Sequence, residues 1–201
     1  MKERIWNFVK YKTYIFDFDY TLADATAGIV ESINYGLNCA GLKSESVDTI
    51  KKTVGMALKD ALFELTKVSD EYTIEIFTAH FKHMADRVMA DCTVLLPDTV
   101  SVLSALKQNG CNTAILTNKF HYRIDEVLKK YKITELIDFI VGFEDVAVAK
   151  PSPEGLLKAI KFFGVDKQSV LYIGDNQIDA NTAFGAGVDF AAVLTGTTEK
   201  Q

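Results

Sequence analysis

The chain has 201 residues, 48% of them apolar and 24% charged, with a formal net charge of −5. That length allows a well-buried core, as one large domain or as one domain carrying an insertion. The acidic balance argues against nucleic acid as a partner, because phosphate backbones reward clustered Lys and Arg, whereas a small anionic substrate needs only a local cationic site.

Residues 13–18 are almost all apolar or β-forming, as expected of a first strand buried on both faces. From residue 24 to residue 91 the periods become helical. "AGIVESINYGLNCAGL" places Ile29, Ile33 and Leu37 four apart, with Gly41 as a stop. "SVDTIKKTVG" and "MALKDALFEL" predict two shorter helices. "SDEYTIEIFTAHFKHMADRVMA" predicts a long one, with Tyr72, Ile76, His80, Met84 and Val88 as its stripe. After Pro97 helix and strand alternate. "DTVSVLSALKQNG" is a helix closed by Gly110, and "CNTAILT" is a strand. A helix over 120–131 leads to the short strand "DFIVG". "SPEGLLKAIKFFG" is a helix with Ser152 as N-cap, Pro153 first and Gly164 past the end. "SVLYIGD" is a strand, followed by a helix to Gly187 and the strand "DFAAVL". This alternation predicts an α/β, Rossmann-like parallel sheet with helices on both faces. The expected division is an α/β core from 1–23 and 92–201, with a helical cap of residues 24–91 inserted after the first strand.

In such sheets ligands bind beyond the carboxyl ends of the strands. The first strand ends on Asp17 and Asp19, two like charges that are costly to desolvate side by side. The second ends on Thr117 and Asn118. The loop after the third carries Lys150, and the fourth supplies Asp175 and, four residues on, Asp179. Hard carboxylate oxygens suit a divalent metal such as Mg²⁺, and a lysine with a hydroxyl suits phosphoryl oxygens. A metal would also be the counterion that makes the paired aspartates tolerable. Bland alternatives stand beside this. Thr117 and Asn118 are common turn residues, Lys150 could be a loop lysine, and Asp179 fits a first-turn helix acid as well as a functional one. His80 and His83 lie three apart on the long helix without a third ligand, which fits a stripe edge and a solvent-facing position.

"DFDYTLAD", "LTN", "KPSPEGL" and "GDNQID", in that order and each after a predicted strand, resemble the four motifs of the haloacid dehalogenase superfamily. The inserted helices are similar to the cap of its phosphoglycolate phosphatase and β-phosphoglucomutase-like branch. The sequence departs from that pattern at Tyr20, where glycine is commoner, at Ala25 for a frequent serine and at Asp98 for a glycine. The resemblance implies a phosphatase of small phosphorylated metabolites working through an aspartyl-phosphate. Asp17 would be the nucleophile and Asp19 the general acid–base. Mg²⁺ would be held by Asp17, the backbone carbonyl of Asp19, and Asp175, with Asp179 supporting. Thr117, Asn118 and Lys150 would hold the phosphoryl oxygens.

Two other functions use similar parts. A sugar phosphomutase would share the phosphoenzyme, but mutases of that branch usually carry Glu-Asp where this chain has Gly174-Asp175, which favours hydrolysis. A signalling receiver domain accepts a phosphoryl group after a later strand and lacks a helical insert. Cys39, Cys92 and Cys111 are scattered and odd in number, as expected of free thiols in a reducing compartment. The start "MKERIWNFVKYK" lacks the continuous apolar stretch of a secretory signal. No apolar run approaches the roughly 18 residues a membrane helix needs. The expectation is a cytoplasmic protein without membrane contact, a monomer by default.

Overall fold

The computed structural model describes residues 10–196. In chain order, β1 (Thr13–Phe16) is followed by a two-residue strand, β2 (Ala23–Asp24). Four helices come next: α1 (Thr26–Cys39), α2 (Val47–Lys51), α3 (Leu58–Thr66) and α4 (Glu71–Cys92). A second two-residue strand, β3 (Val94–Leu95), leads into α5 (Thr99–Gln108), β4 (Asn112–Leu116), α6 (His121–Tyr131) and β5 (Phe139–Val141). The chain continues through α7 (Glu154–Phe163), β6 (Val170–Gly174), α8 (Gln177–Ala186) and β7 (Asp189–Ala192). The five longer strands form one parallel sheet in the order β5-β4-β1-β6-β7, with β1 in the centre.

The alternation of side chains along each strand sorts the core into two layers. Phe16, Ile115 and Ile173 pack with Leu103 of α5 and Ile124 of α6 on one face. Ile15, Leu116 and Tyr172 pack with Leu156 of α7 and Ala183 of α8 on the other. A central strand covered on both faces has no polar side, which is why residues 13–16 show no hydrophilic alternation.

The helices α1–α4 bury a separate cluster drawn only from residues 25–89, including Ile33, Leu37, Leu62 and Phe77. The stripe predicted for α4 is displaced by one residue. Its buried face is Phe77, Phe81, Ala85 and Met89, while Tyr72 is 74% exposed. Both series are spaced four apart and mostly apolar. Packing against α1 selects the second, because Gly28 and Gly36 of α1 sit against Met89 and Phe77. α7 begins one residue later than predicted. Pro153 occupies the N-cap and the Ser152 hydroxyl accepts from the Glu154 N–H at 3.3 Å.

The two chain crossings between sheet and helical block lie together. β2 and β3 pair antiparallel, Ala23 opposite Leu95. The Leu22 carbonyl accepts from the Leu96 N–H at 2.9 Å and from the Thr99 hydroxyl at 2.6 Å. Strands of two residues carry no periodicity, which is why neither is among the predicted elements. Among the described residues no helix is long and apolar enough to cross a membrane.

Candidate active site

The carboxyl ends of β1, β4 and β6 bring most of the predicted residues to one place. Asp17 follows β1 and is 1% exposed, and Asp19 is 7% exposed. Lys150 reaches between them and the β6 end. Its ammonium donates to Asp17 Oδ1 at 2.7 Å, to Asp179 Oδ1 at 2.7 Å and to the Tyr172 hydroxyl at 3.2 Å. That hydroxyl in turn donates to Asp179 Oδ1 at 2.8 Å. Asp179 is engaged through both of its carboxylate oxygens. It closes the capping box of α8, its Oδ2 accepting from the Asn176 and Asp175 N–H groups, while its other oxygen anchors Lys150. Gly174 makes this possible, since a Cβ there would collide with the Asp179 carboxyl.

Three carboxylates, Asp17, Asp175 and Asp179, offer oxygens within 4.8 Å of one another. One lysine cannot neutralise them. Burial drives the Asp17 carboxyl up to about 8, and the Asp179 charge adds to that rise against the opposing pull of Lys150. Asp175 is raised to about 7, again by burial first and by Asp179 second. For Lys150, burial alone would favour the neutral amine, but Asp17 and Asp179 outweigh it and hold the ammonium above its ordinary range. The Tyr172 phenol is held well above its ordinary range by burial and by Asp179, so it remains a neutral donor. Asp17 Oδ2 and Asp19 Oδ1 are buried without any hydrogen-bond partner. Orphaned carboxylate oxygens, an uncompensated negative cluster and an all-oxygen donor set fit a hard divalent cation such as Mg²⁺.

A cleft of about 670 Å³, open to solvent, leads from Asp17 and Asp19 toward the helical block. Thr117 lines it and is 3% exposed. Asn118 also borders the cleft, but its side chain is already engaged. Its amide donates to the carbonyls of Lys150 (3.1 Å) and Gly55 (2.9 Å), and its oxygen accepts from the Lys150 N–H at 3.0 Å. The Asn118 side chain therefore clasps the Lys150 backbone. Tyr20, where a glycine was the commoner residue, has φ of 60°, the left-handed region that favours glycine.

Three residues of the site escaped the sequence reading. Lys119 pairs with Asp19 Oδ2 at 3.0 Å, both side chains below 10% exposed. Tyr172 sits inside an apolar strand, and Arg123, 2% exposed, reaches the cleft from α6. Lysine at a strand–helix turn, tyrosine in a core strand and arginine on an amphipathic helix are each ordinary in those settings. Only the position of Lys119 directly after Asn118 hinted at a role.

Paired aspartates at the end of the central strand of a parallel sheet, a lysine from a neighbouring loop and a cleft bordered by the helical block make up one candidate site. Residues 14–193 match the family described as haloacid dehalogenase-like hydrolase, and the chain belongs to that family. A solved haloacid dehalogenase-like hydrolase from Bacteroides fragilis is 40% identical and superposes with a TM-score of 0.91, covering 94% of this chain and 90% of that one. A phosphoglycolate phosphatase of Rhodobacter capsulatus is 29% identical over 185 residues, 90% of this chain and 84% of its own length. A pyrophosphatase of Bacillus cereus (strain AH820) is 28% identical over 187 residues, 92% of this chain and 84% of its own length.

Proposed function

We propose that this protein is a Mg²⁺-dependent phosphatase of small phosphate monoesters, with Asp17 as the group that takes the phosphoryl. The observation that carries this is the state of the Asp17 carboxylate: one oxygen is fixed by Lys150 and the other is buried in the cleft with no partner. A carboxylate so held is oriented for attack and needs no activating base once ionised. Asp17, Asp175 and the backbone carbonyl of Asp19 would hold Mg²⁺, which supplies positive charge to the cluster and to phosphoryl oxygens. Asp179 and Asn118 act by positioning Lys150.

In the first step an oxygen of Asp17 bonds to phosphorus while the bond to the leaving oxygen breaks, and Asp19 gives that oxygen its proton. In the second, Asp19 removes a proton from water as the water oxygen bonds to phosphorus. The Asp17–phosphorus bond then breaks and inorganic phosphate leaves. Lys119, paired with Asp19 Oδ2, holds one oxygen of the carboxyl and leaves the unpartnered Oδ1 for proton transfer. Thr117 offers its hydroxyl to the phosphoryl oxygens. The helical block acts as a cap, excluding water during the first step. Gly174 supports hydrolysis over phosphoryl transfer between sugars, because it stands where mutases of the branch that this chain resembles usually carry Glu. The relatives named for phosphoglycolate and pyrophosphate hydrolysis support the reaction class.

The test is phosphate release from p-nitrophenyl phosphate and a panel of alkyl monoesters with Mg²⁺. Turnover should be steady, lost with EDTA and lost in Asp17→Asn with the fold intact. A single stoichiometric burst, or undiminished turnover in metal-free buffer, would contradict it.

A further inference from the structure

We infer that the cleft selects phosphate esters whose organic part is apolar and uncharged, rather than substrates bearing a second anion. This rests on the phosphatase reading and specifies its substrate class. The cap supplies the far wall of the cleft, and it does so through Ile29, Ile33, Met56, Leu58, Phe81 and Met89. None of the cap residues that line the cleft is charged. The wall reaches into the cap's own hydrophobic cluster, to which Ile29, Ile33, Phe81 and Met89 all belong.

The two cations that line the cleft, Lys119 and Arg123, both come from the core, and both are already matched. Lys119 is paired with Asp19 at 3.0 Å, and Arg123 with Asp86 at 2.7 Å. The Arg123 guanidinium also donates to the Lys82 carbonyl at 3.3 Å and to the Tyr122 hydroxyl at 3.1 Å. A carboxylate or second phosphate placed against the cap wall would be desolvated with no free counterion, which is strongly unfavourable. An alkyl or aryl group in the same place would lose water-exposed apolar surface, which is favourable. The names of the relatives point to phosphoglycolate, an ester, and pyrophosphate, an anhydride, both of which carry a second anionic group. At 28–29% identity, the wall of this cleft is the better guide.

The n-alkyl phosphates from methyl to butyl have alcohols of nearly equal acidity, so the chemical step stays constant while the buried chain lengthens. With Mg²⁺ present, kcat/KM should rise about fourfold per added methylene, carried mainly by KM. n-Propyl phosphate should exceed phosphoglycolate, its counterpart of similar size, by at least about tenfold, and pyrophosphate by more. Binding is followed separately by calorimetry with n-propylphosphonate and phosphonoacetate, which are not hydrolysed. Leu58→Lys places a cation on the wall without touching the reacting groups, and it should shift the ratio toward phosphoglycolate and phosphonoacetate. Met56→Lys serves as the second variant. A flat alkyl series, or tighter binding of phosphonoacetate than of n-propylphosphonate by the native protein, would overturn the inference. Absence of turnover on every ester, with n-propylphosphonate still preferred over phosphonoacetate, would instead overturn the phosphatase reading and leave the selectivity of the cleft standing.

Discussion

Replacing Lys150 with Met removes the cation that faces Asp17 and Asp179 at 2.7 Å each, at nearly constant volume. The three side chains are 1%, 2% and 0% exposed, so water cannot substitute for the ammonium. Breaking a buried ion pair from one side costs about 3–5 kcal/mol, because the remaining charges stay buried. That is a large part of the roughly 5–15 kcal/mol available to a folded domain. At about 2–4 °C per kcal/mol for a chain of this size, Tm should fall by about 6–20 °C. The sign of the pH dependence follows from Asp17, whose carboxyl is already raised to about 8 with Lys150 present. Without the lysine it lies higher still. A carboxyl raised in the folded state favours folding most at low pH and loses that contribution as pH rises through the folded value. The deficit of Lys150→Met, already present near pH 5 because Asp179 loses its partner, should therefore grow as pH rises past 8. Thermal or urea unfolding in EDTA across that range measures it. A deficit below about 1 kcal/mol at pH 8, the worth of an exposed pair, would refute the reasoning. So would a deficit that grows on acidification.

In the metal-free native protein, stability should decline as pH rises through 7 and 8, because Asp175 and Asp17 are both raised above an unfolded value of about 3.9. Each proton involved contributes a slope of at most about 1.4 kcal/mol per pH unit. Mg²⁺ should accordingly raise Tm more at pH 8.5 than at pH 6 and release protons on binding; equal shifts at both pH values would contradict the metal assignment. Tyr172→Phe removes a hydroxyl bonded to Lys150, Asp179 and the Leu116 carbonyl. It should cost about 1–3 kcal/mol in urea unfolding and lower kcat more than it changes KM, whereas an unaltered midpoint and rate would show the hydroxyl to be idle. The cap should pivot about the paired crossings β2 and β3, since the cleft must shed and readmit water. Structures with and without a phosphate analogue would show it, and an identical cap orientation in both would count against the hinge.

The acids and the lysine were legible because each follows a strand whose apolar run is unmistakable. A charge at the end of a buried strand has few uses other than a ligand or a turn. Asp179 was ambiguous for a physical reason: an acid at the third position of a helix is favoured whether or not it serves a site, and here it caps α8 and also binds Lys150. Lys119, Tyr172 and Arg123 were hidden because their roles depend on partners 100, 22 and 37 residues away or on neighbours across the sheet. The side-chain contacts of Asn118 were not legible, since sequence proximity to the site does not say where an amide spends its hydrogen bonds. The α4 stripe slipped by one residue because two apolar series run side by side on that helix, and the partner helix chooses between them.

The most direct test of the account is to trap the phosphoryl group on Asp17. In Asp19→Asn the proposed donor of a proton to the leaving oxygen and acceptor of one from water is gone, while the backbone carbonyl proposed for the metal remains. An aryl ester such as p-nitrophenyl phosphate needs little help with its leaving group, so it should still phosphorylate the protein. With water no longer activated, the product of that step should accumulate. Rapid quench at low pH, proteolysis and mass spectrometry should find one phosphoryl group on the peptide containing Asp17, at a level approaching one per chain. Alkyl esters should react far more slowly, and Asp17→Asn combined with Asp19→Asn should show no label. Steady hydrolysis by Asp19→Asn with no labelled peptide, or a label on any other residue, would contradict the assignment of Asp17 as the phosphoryl acceptor.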